Sequence, residues 1–141
     1  MSQENVEIVR RGFEAWHRGD VDGWVELHHP EIEWFSEVAQ AVQGGESVYR
    51  GRTQLRQLWD DWHSVWDLTV EISGFCDLDE VVVATGSVRV HGKASGVDLE
   101  GPIAYVSEFE GGLIRTFRVY RDPRQALEAV GISLQDVPAD S

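Results

Sequence analysis

Apolar residues recur at spacings of three and four in the first half of the chain and at every second position through most of the rest, so the pattern predicts helices first and strands afterwards. Val6, Val9, Phe13 and Trp16 form one stripe along Asn5–Arg18 and predict a helix with a charged opposite face. Gly19 ends it, and Asp20 is placed to cap a second helix that carries Val21, Trp24, Val25 and Leu27 on one side. Pro30 interrupts the run, and Glu31–Phe35 predicts a short strand with Ile32, Trp34 and Ser36 on one face and Glu33 and Phe35 on the other. Glu37–Arg50 has no period and contains Gly44-Gly45, so a loop is expected there, a candidate lid. A third helix is predicted after Gly51, with Thr53 as cap and Leu55, Leu58, Trp59, Trp62 and Trp66 along one side.

Leu68–Phe75 and Val81–His91 alternate as strands about a turn at Asp77–Asp79, and a further strand is expected from about Val97. It leads into a hairpin over Gly101–Arg121, the stretch on which the rest of the fold depends. A three-residue loop, Glu110 to Gly112, sets Phe109 against Leu113 and Ala104 against Arg118, whereas a two-residue loop at the glycines shifts the pairing. With the longer loop, one face carries Ala104, Val106, Glu108, Ile114, Thr116, Arg118 and Tyr120, and the other Tyr105, Ser107, Phe109, Arg115, Phe117 and Val119. Asp122-Pro123 opens a last helix through Ala126, Leu127 and Val130, stopped by Gly131. Helices segregated from strands define an α+β domain over residues 1–131, in which a strongly curved antiparallel sheet wraps the N-terminal helices and leaves a cone-shaped pocket; residues 132–141 are expected to be a frayed tail.

Composition narrows the partners. The 141 residues carry a formal charge of −13, which argues against nucleic acid and acidic membrane surfaces. The single cysteine, Cys76, excludes an internal disulfide, and no apolar run approaches a membrane span. Met1–Arg10 is polar and does not read as a signal peptide, so a cytoplasmic location is the expectation. The run HHPEIE, with His28, His29, Glu31 and Glu33, invites a metal reading, but it straddles a helix end and a strand, where neighbouring side chains diverge. No metal or cofactor is expected.

Three segments carry a resemblance: Phe13–Trp34 (FEAWHRGDVDGWVELHHPEIEW), Tyr49–Trp59 (YRGRTQLRQLW) and Gly101–Asp122 (GPIAYVSEFEGGLIRTFRVYRD). With the strands between them the chain resembles the nuclear transport factor 2-like superfamily, and within it the SnoaL-like and ketosteroid isomerase-like proteins. The resemblance implies a cystatin-like α+β roll, an internal cone and a homodimer through the outer face of the sheet. It does not imply steroid isomerisation. That chemistry needs an aspartate base, and a tyrosine with a protonated acid to hold the oxyanion. The matching positions here are Ser36, Gly12 and Ala104. The superfamily's epoxide hydrolases use two aspartates and an arginine, and Val119 stands where their strand aspartate is expected. A SnoaL-like cyclase makes smaller demands, a single inward acid or base.

Candidate groups follow from the longer-loop register. Arg118 points into the cone, there to clamp a carboxylate or enolate, or else to pair with Glu108. Glu108 is a candidate general base, and His63 on the third helix and His28 at the end of the second are candidate proton shuttles, each weighed against an ordinary packing role. Trp34, Ser36, Tyr49, Trp59, Ala104, Val106, Thr116 and Tyr120 are the expected pocket lining, and the aromatics among them favour a flat or fused-ring ligand. Three functions fit: a binder of a small apolar, oxygenated or weakly acidic molecule; a cofactor-independent isomerase or cyclase using Arg118 with Glu108 or His63; and a structural dimerisation domain with a filled core.

Overall fold

The apolar stripe of the first helix is the face that is buried. In the computed structural model, which describes residues 2–37 and 48–131, α1 (Ser2–Arg18) sets Val9, Ala15 and Trp16 into the core. Gly19 follows in the left-handed region at φ 79°, and Asp20 caps α2 (Val21–Glu26), its carboxylate accepting from the Gly23 N–H at 3.0 Å. The remaining elements are β1 (His28–Ser36), β2 (Val48–Arg50), α3 (Gly51–Val65), β3 (Trp66–Asp77), β4 (Val81–Gly92), β5 (Asp98–Glu110), β6 (Leu113–Tyr120) and α4 (Pro123–Ala129). The strands form one curved sheet in the order β2-β1-β6-β5-β4-β3, antiparallel throughout except where β1 runs parallel to β6.

Several boundaries differ from expectation for identifiable reasons. β1 starts before Pro30, because the Leu27 carbonyl accepts the Ile114 N–H at 3.0 Å and His28 pairs with Ile114. The pairing with β6 then breaks until Glu33 meets Thr116, so the residues around Pro30, which has no N–H to give, bulge out of the ladder. β2 lies within the expected loop, whose residues 38–47 are outside the described residues, as is the tail 132–141. Thr53 is not the cap of α3. Gly51 begins the helix, and the Gln54 side chain accepts from the Arg50 N–H at 2.7 Å.

The hairpin takes the shorter loop. Gly111 and Gly112 both have positive φ, 60° and 79°, the conformation of a two-residue turn whose twist matches its strands. Glu110 therefore opposes Leu113 and Phe109 opposes Ile114, and a bulge at Arg115 then sets Glu108 against Thr116, Val106 against Arg118 and Ala104 against Tyr120. The expected pairs Phe109 with Leu113 and Ala104 with Arg118 do not form. The bulge restores the expected division of faces beyond it, but Ile114 joins Phe109.

Which face points inward is the larger correction. Ile103, Tyr105, Phe109, Ile114, Phe117 and Val119 belong to the main core beneath α1, α2 and α3. Ala104 and Val106 pack on the other side with Cys76, Val83, Ala126 and Leu127, under α4, with Tyr120 beside them. Arg118, Glu108 and Thr116 share that outer side.

Candidate functional site

The concave face encloses two small cavities, of about 50 and 40 Å³, that share Trp16, Trp34, Leu68 and Tyr105 as walls. The larger is completed chiefly by Gly12, Phe13, Trp24, His28, Ile114 and Phe117, and the smaller by Ser36, Trp62 and Val119 among others. Edge-on packing of Trp16 and Trp34 against Trp24, at 5.3 and 5.5 Å between ring centres, and a stack of Trp34 on Phe117 at 4.1 Å make these walls stiff. Gly12 contributes room. A Cβ at that position meets only Leu27 Cδ1, at 3.9 Å. Phe13 and Val70 also border an open surface groove with Arg10, Glu14, His17 and Phe75, so these two side chains separate the larger cavity from solvent.

Among the described residues two buried side-chain atoms lack a hydrogen-bond partner, Ser107 Oγ and His28 Nε2, and of the two only His28 lines a cavity. Its Nδ1 lies 2.7 Å from the Trp24 carbonyl, and since a carbonyl only accepts, Nδ1 carries the proton. Nε2 then holds a lone pair, and it is buried without a hydrogen-bond partner. The side chain is 1% exposed, and burial pushes the imidazole down to about 4, the Trp24 bond opposing this and the Arg52 charge adding to it. The ring is therefore neutral near pH 7. Its backbone is held as firmly, because the Arg52 guanidinium donates two bonds to the His28 carbonyl, at 2.9 and 2.6 Å. Across the cavity, burial pushes the Tyr105 phenol up, so it too stays neutral.

The residues expected to form the site are divided by the sheet. Trp34 lines both cavities and Ser36 the smaller one. Ala104, Val106, Thr116 and Tyr120 do not, being on the outer face. There the half-exposed Arg118 lies 3.7 Å from Glu108, whose carboxylate also accepts from the Thr116 hydroxyl. Arg118 and Glu108 therefore make the outer ion pair that was the alternative to an inward clamp. His63 bolts α3 to α1: it stacks on Trp59, with Nδ1 3.0 Å from the Trp59 carbonyl and Nε2 3.4 Å from that of Trp16. Trp59 is buried against Trp16 and Trp24, and Tyr49 pairs with Trp34 across β2 and β1, but neither lines a cavity. In HHPEIE, His28 turns inward while His29 faces Glu110 at 3.2 Å. No three potential metal ligands cluster among the described residues. Gly12, Phe13, Trp16, Trp24, Tyr105 and Phe117 were not foreseen as lining; the only signal for the last two was that their face of the hairpin is the more aromatic.

A curved, open sheet wrapped over three helices is the nuclear transport factor 2-like fold, and the match to a family model over most of the chain makes it a member of that superfamily. Within it, residues 9–117 match the SnoaL-like domain, and the protein is a member of that family. A protein of unknown function from Burkholderia pseudomallei, described as ntf2-like, superposes with a TM-score of 0.75 at 21% identity, over 91% of this chain and 98% of the other. An LEH-like epoxide hydrolase of M. tuberculosis matches with a TM-score of 0.70 at 17% identity, over 85% and 84% of the two chains. A Catenulispora acidiphila protein with a ketosteroid isomerase-like fold, in complex with trimethylamine, gives 0.70 at 17% identity over 94% and 98%. No functionally curated protein matches. No helix among the described residues is long and apolar enough to cross a membrane.

Proposed function

We propose that this SnoaL-like protein binds a small, neutral, largely apolar molecule in its cone and does not use Arg118, Glu108 or His63 on it. The observation that carries this reading is the wall itself: aromatic and aliphatic side chains interrupted by neutral polar groups, with no carboxylate, lysine or arginine among the described lining residues of either concave cavity. An ionised ligand buried there lacks a counter-charge, which disfavours it strongly. A cavity of about 50 Å³ is also far below the roughly 300–1,000 Å³ that drug-sized ligands occupy, so a ligand of single-ring size or less fits better than a fused-ring one. The trimethylamine held by the Catenulispora acidiphila protein is of that order of size. Arg118 and Glu108 act from the wrong side of the sheet, and both ring nitrogens of His63 face backbone carbonyls.

Gly12→Leu tests the cone directly. The new side chain enters open space on α1 without a backbone clash, so folding is expected to survive while the cavity fills. Toluene and phenol are the probes, read by thermal shift and tryptophan fluorescence. Saturable binding of at least one to the wild type, lost in Gly12→Leu, supports the reading; no binding of either to the wild type removes it.

A further inference from the structure

We propose that His28 Nε2 is the anchor of the cone, selecting among small neutral ligands those that carry an O–H or N–H donor. The inference rests on the binding reading above and names the ligand class. Nδ1–H is committed to the Trp24 carbonyl, which fixes the tautomer and leaves Nε2 as an acceptor on the ring edge away from α2. That atom is buried and unpaired in a side chain that lines the larger cavity. The ring is held in this orientation by the Nδ1 bond to Trp24 and by packing on Trp24 and Trp34, at 5.0 and 5.9 Å between ring centres, while Arg52 holds the residue's carbonyl. A buried acceptor without a donor is a standing cost, and a ligand hydroxyl that reaches it removes that cost, whereas a hydrocarbon of the same shape does not. Nε2 is enclosed by its neighbours, so a ligand reaches it by moving a side chain. Phe13, partly exposed between cavity and surface groove, is the wall through which a ligand enters the cavity, and the side chains to be displaced at Nε2 itself are among those packed on the ring, Trp24 and Trp34. The ligand class is therefore an alcohol or phenol of about single-ring size, or an amine or azole with a free N–H, bound uncharged.

The test compares phenol with toluene, which share a ring and differ in the donor. In a dry apolar cavity toluene has the advantage, so the order of affinity is diagnostic. Wild-type protein is expected to bind phenol about tenfold more tightly than toluene, and His28→Leu is expected to reverse the order. Selective ¹⁵N spectra of the wild-type imidazoles give a readout that needs no variant: the His28 Nε2 resonance shifts towards its hydrogen-bonded position with phenol and stays with toluene. Equal or tighter binding of toluene by the wild type overturns the anchor and leaves the cone a binding site. So does an unchanged phenol preference in His28→Leu, or a His28 resonance indifferent to phenol. Failure of both probes to bind removes the anchor together with the binding reading.

Discussion

A neutral, fully buried histidine leaves its mark on stability as well as on binding. The folded-state value for His28, about 4, lies below the ordinary 6.5, so between these limits the unfolded chain binds the extra proton and the native state does not. Stability from this residue is complete above pH 6.5 and falls as pH drops towards 4, by roughly 3 kcal/mol over the whole interval. Urea midpoints measured at pH 7.5 and pH 5 are expected to drop on acidification in the wild type and to drop much less in His28→Leu; equal drops show that other groups cause the loss. In the sequence His28 reads as a histidine at a helix end, a candidate proton shuttle and part of the HHPEIE run. Its burial, its tautomer and its missing partner depend on Trp24, four residues earlier, and on Trp34 and Arg52, from β1 and α3, which no local pattern brings together.

At the scale of elements, curvature is made where strands are irregular. β3 slips against β4 between Ile72 and Gly74, and at that slip the β3 backbone crosses over Gly86 so closely that a Cβ there falls 1.9 Å from the Glu71 carbonyl oxygen. Gly86→Ala must push the two strands apart, an overpacking of rigid backbone expected to cost about 2–3 kcal/mol or more, visible as a lowered urea midpoint with Tm. A wild-type midpoint for Gly86→Ala shows that the bulge is free to relax. The sequence announced β3 and β4 through their alternation but not the slip, since one glycine in a strand looks like another until its neighbour is placed. The hairpin teaches the same lesson. Its two glycines and both strands were legible, yet the bulge at Arg115 and the direction of each face were decided by pairing. The hairpin register puts Arg118 and Glu108 on the face of Ala104 and Val106 but does not say which face is inward, since both are partly apolar; α4 covers Ala104 and Val106 and makes that face the outer one.

For the whole molecule, we propose that the outer face of the sheet pairs two copies, as the family resemblance implies. Phe35 and Arg118 are register partners there, and the half-exposed Arg118–Glu108 pair offers both signs of charge on one patch, which a two-fold axis can make self-complementary. Sedimentation velocity at micromolar concentration is expected to give a dimer for the wild type and to shift Arg118→Glu towards monomer, because the substitution sets two acids side by side. A monomeric wild type at that concentration removes the outer face as an interface.

Local chemistry alone determined the periodic elements. The stripe of α1, the Asp20 cap, the alternation of Ile32, Trp34 and Ser36, and the Asp122-Pro123 start of α4 depend on neighbours within a few residues and were legible from them. So was the α+β class. The tertiary structure alone decided which hairpin face closes the cone, the parallel pairing of β1 with β6, and the unpaired Nε2 of His28. The physical reason is that a strand's period fixes which residues share a face but carries no sign for inside and outside when both faces are partly apolar. That sign came from α4 covering one face and the tryptophans of the N-terminal helices filling the other.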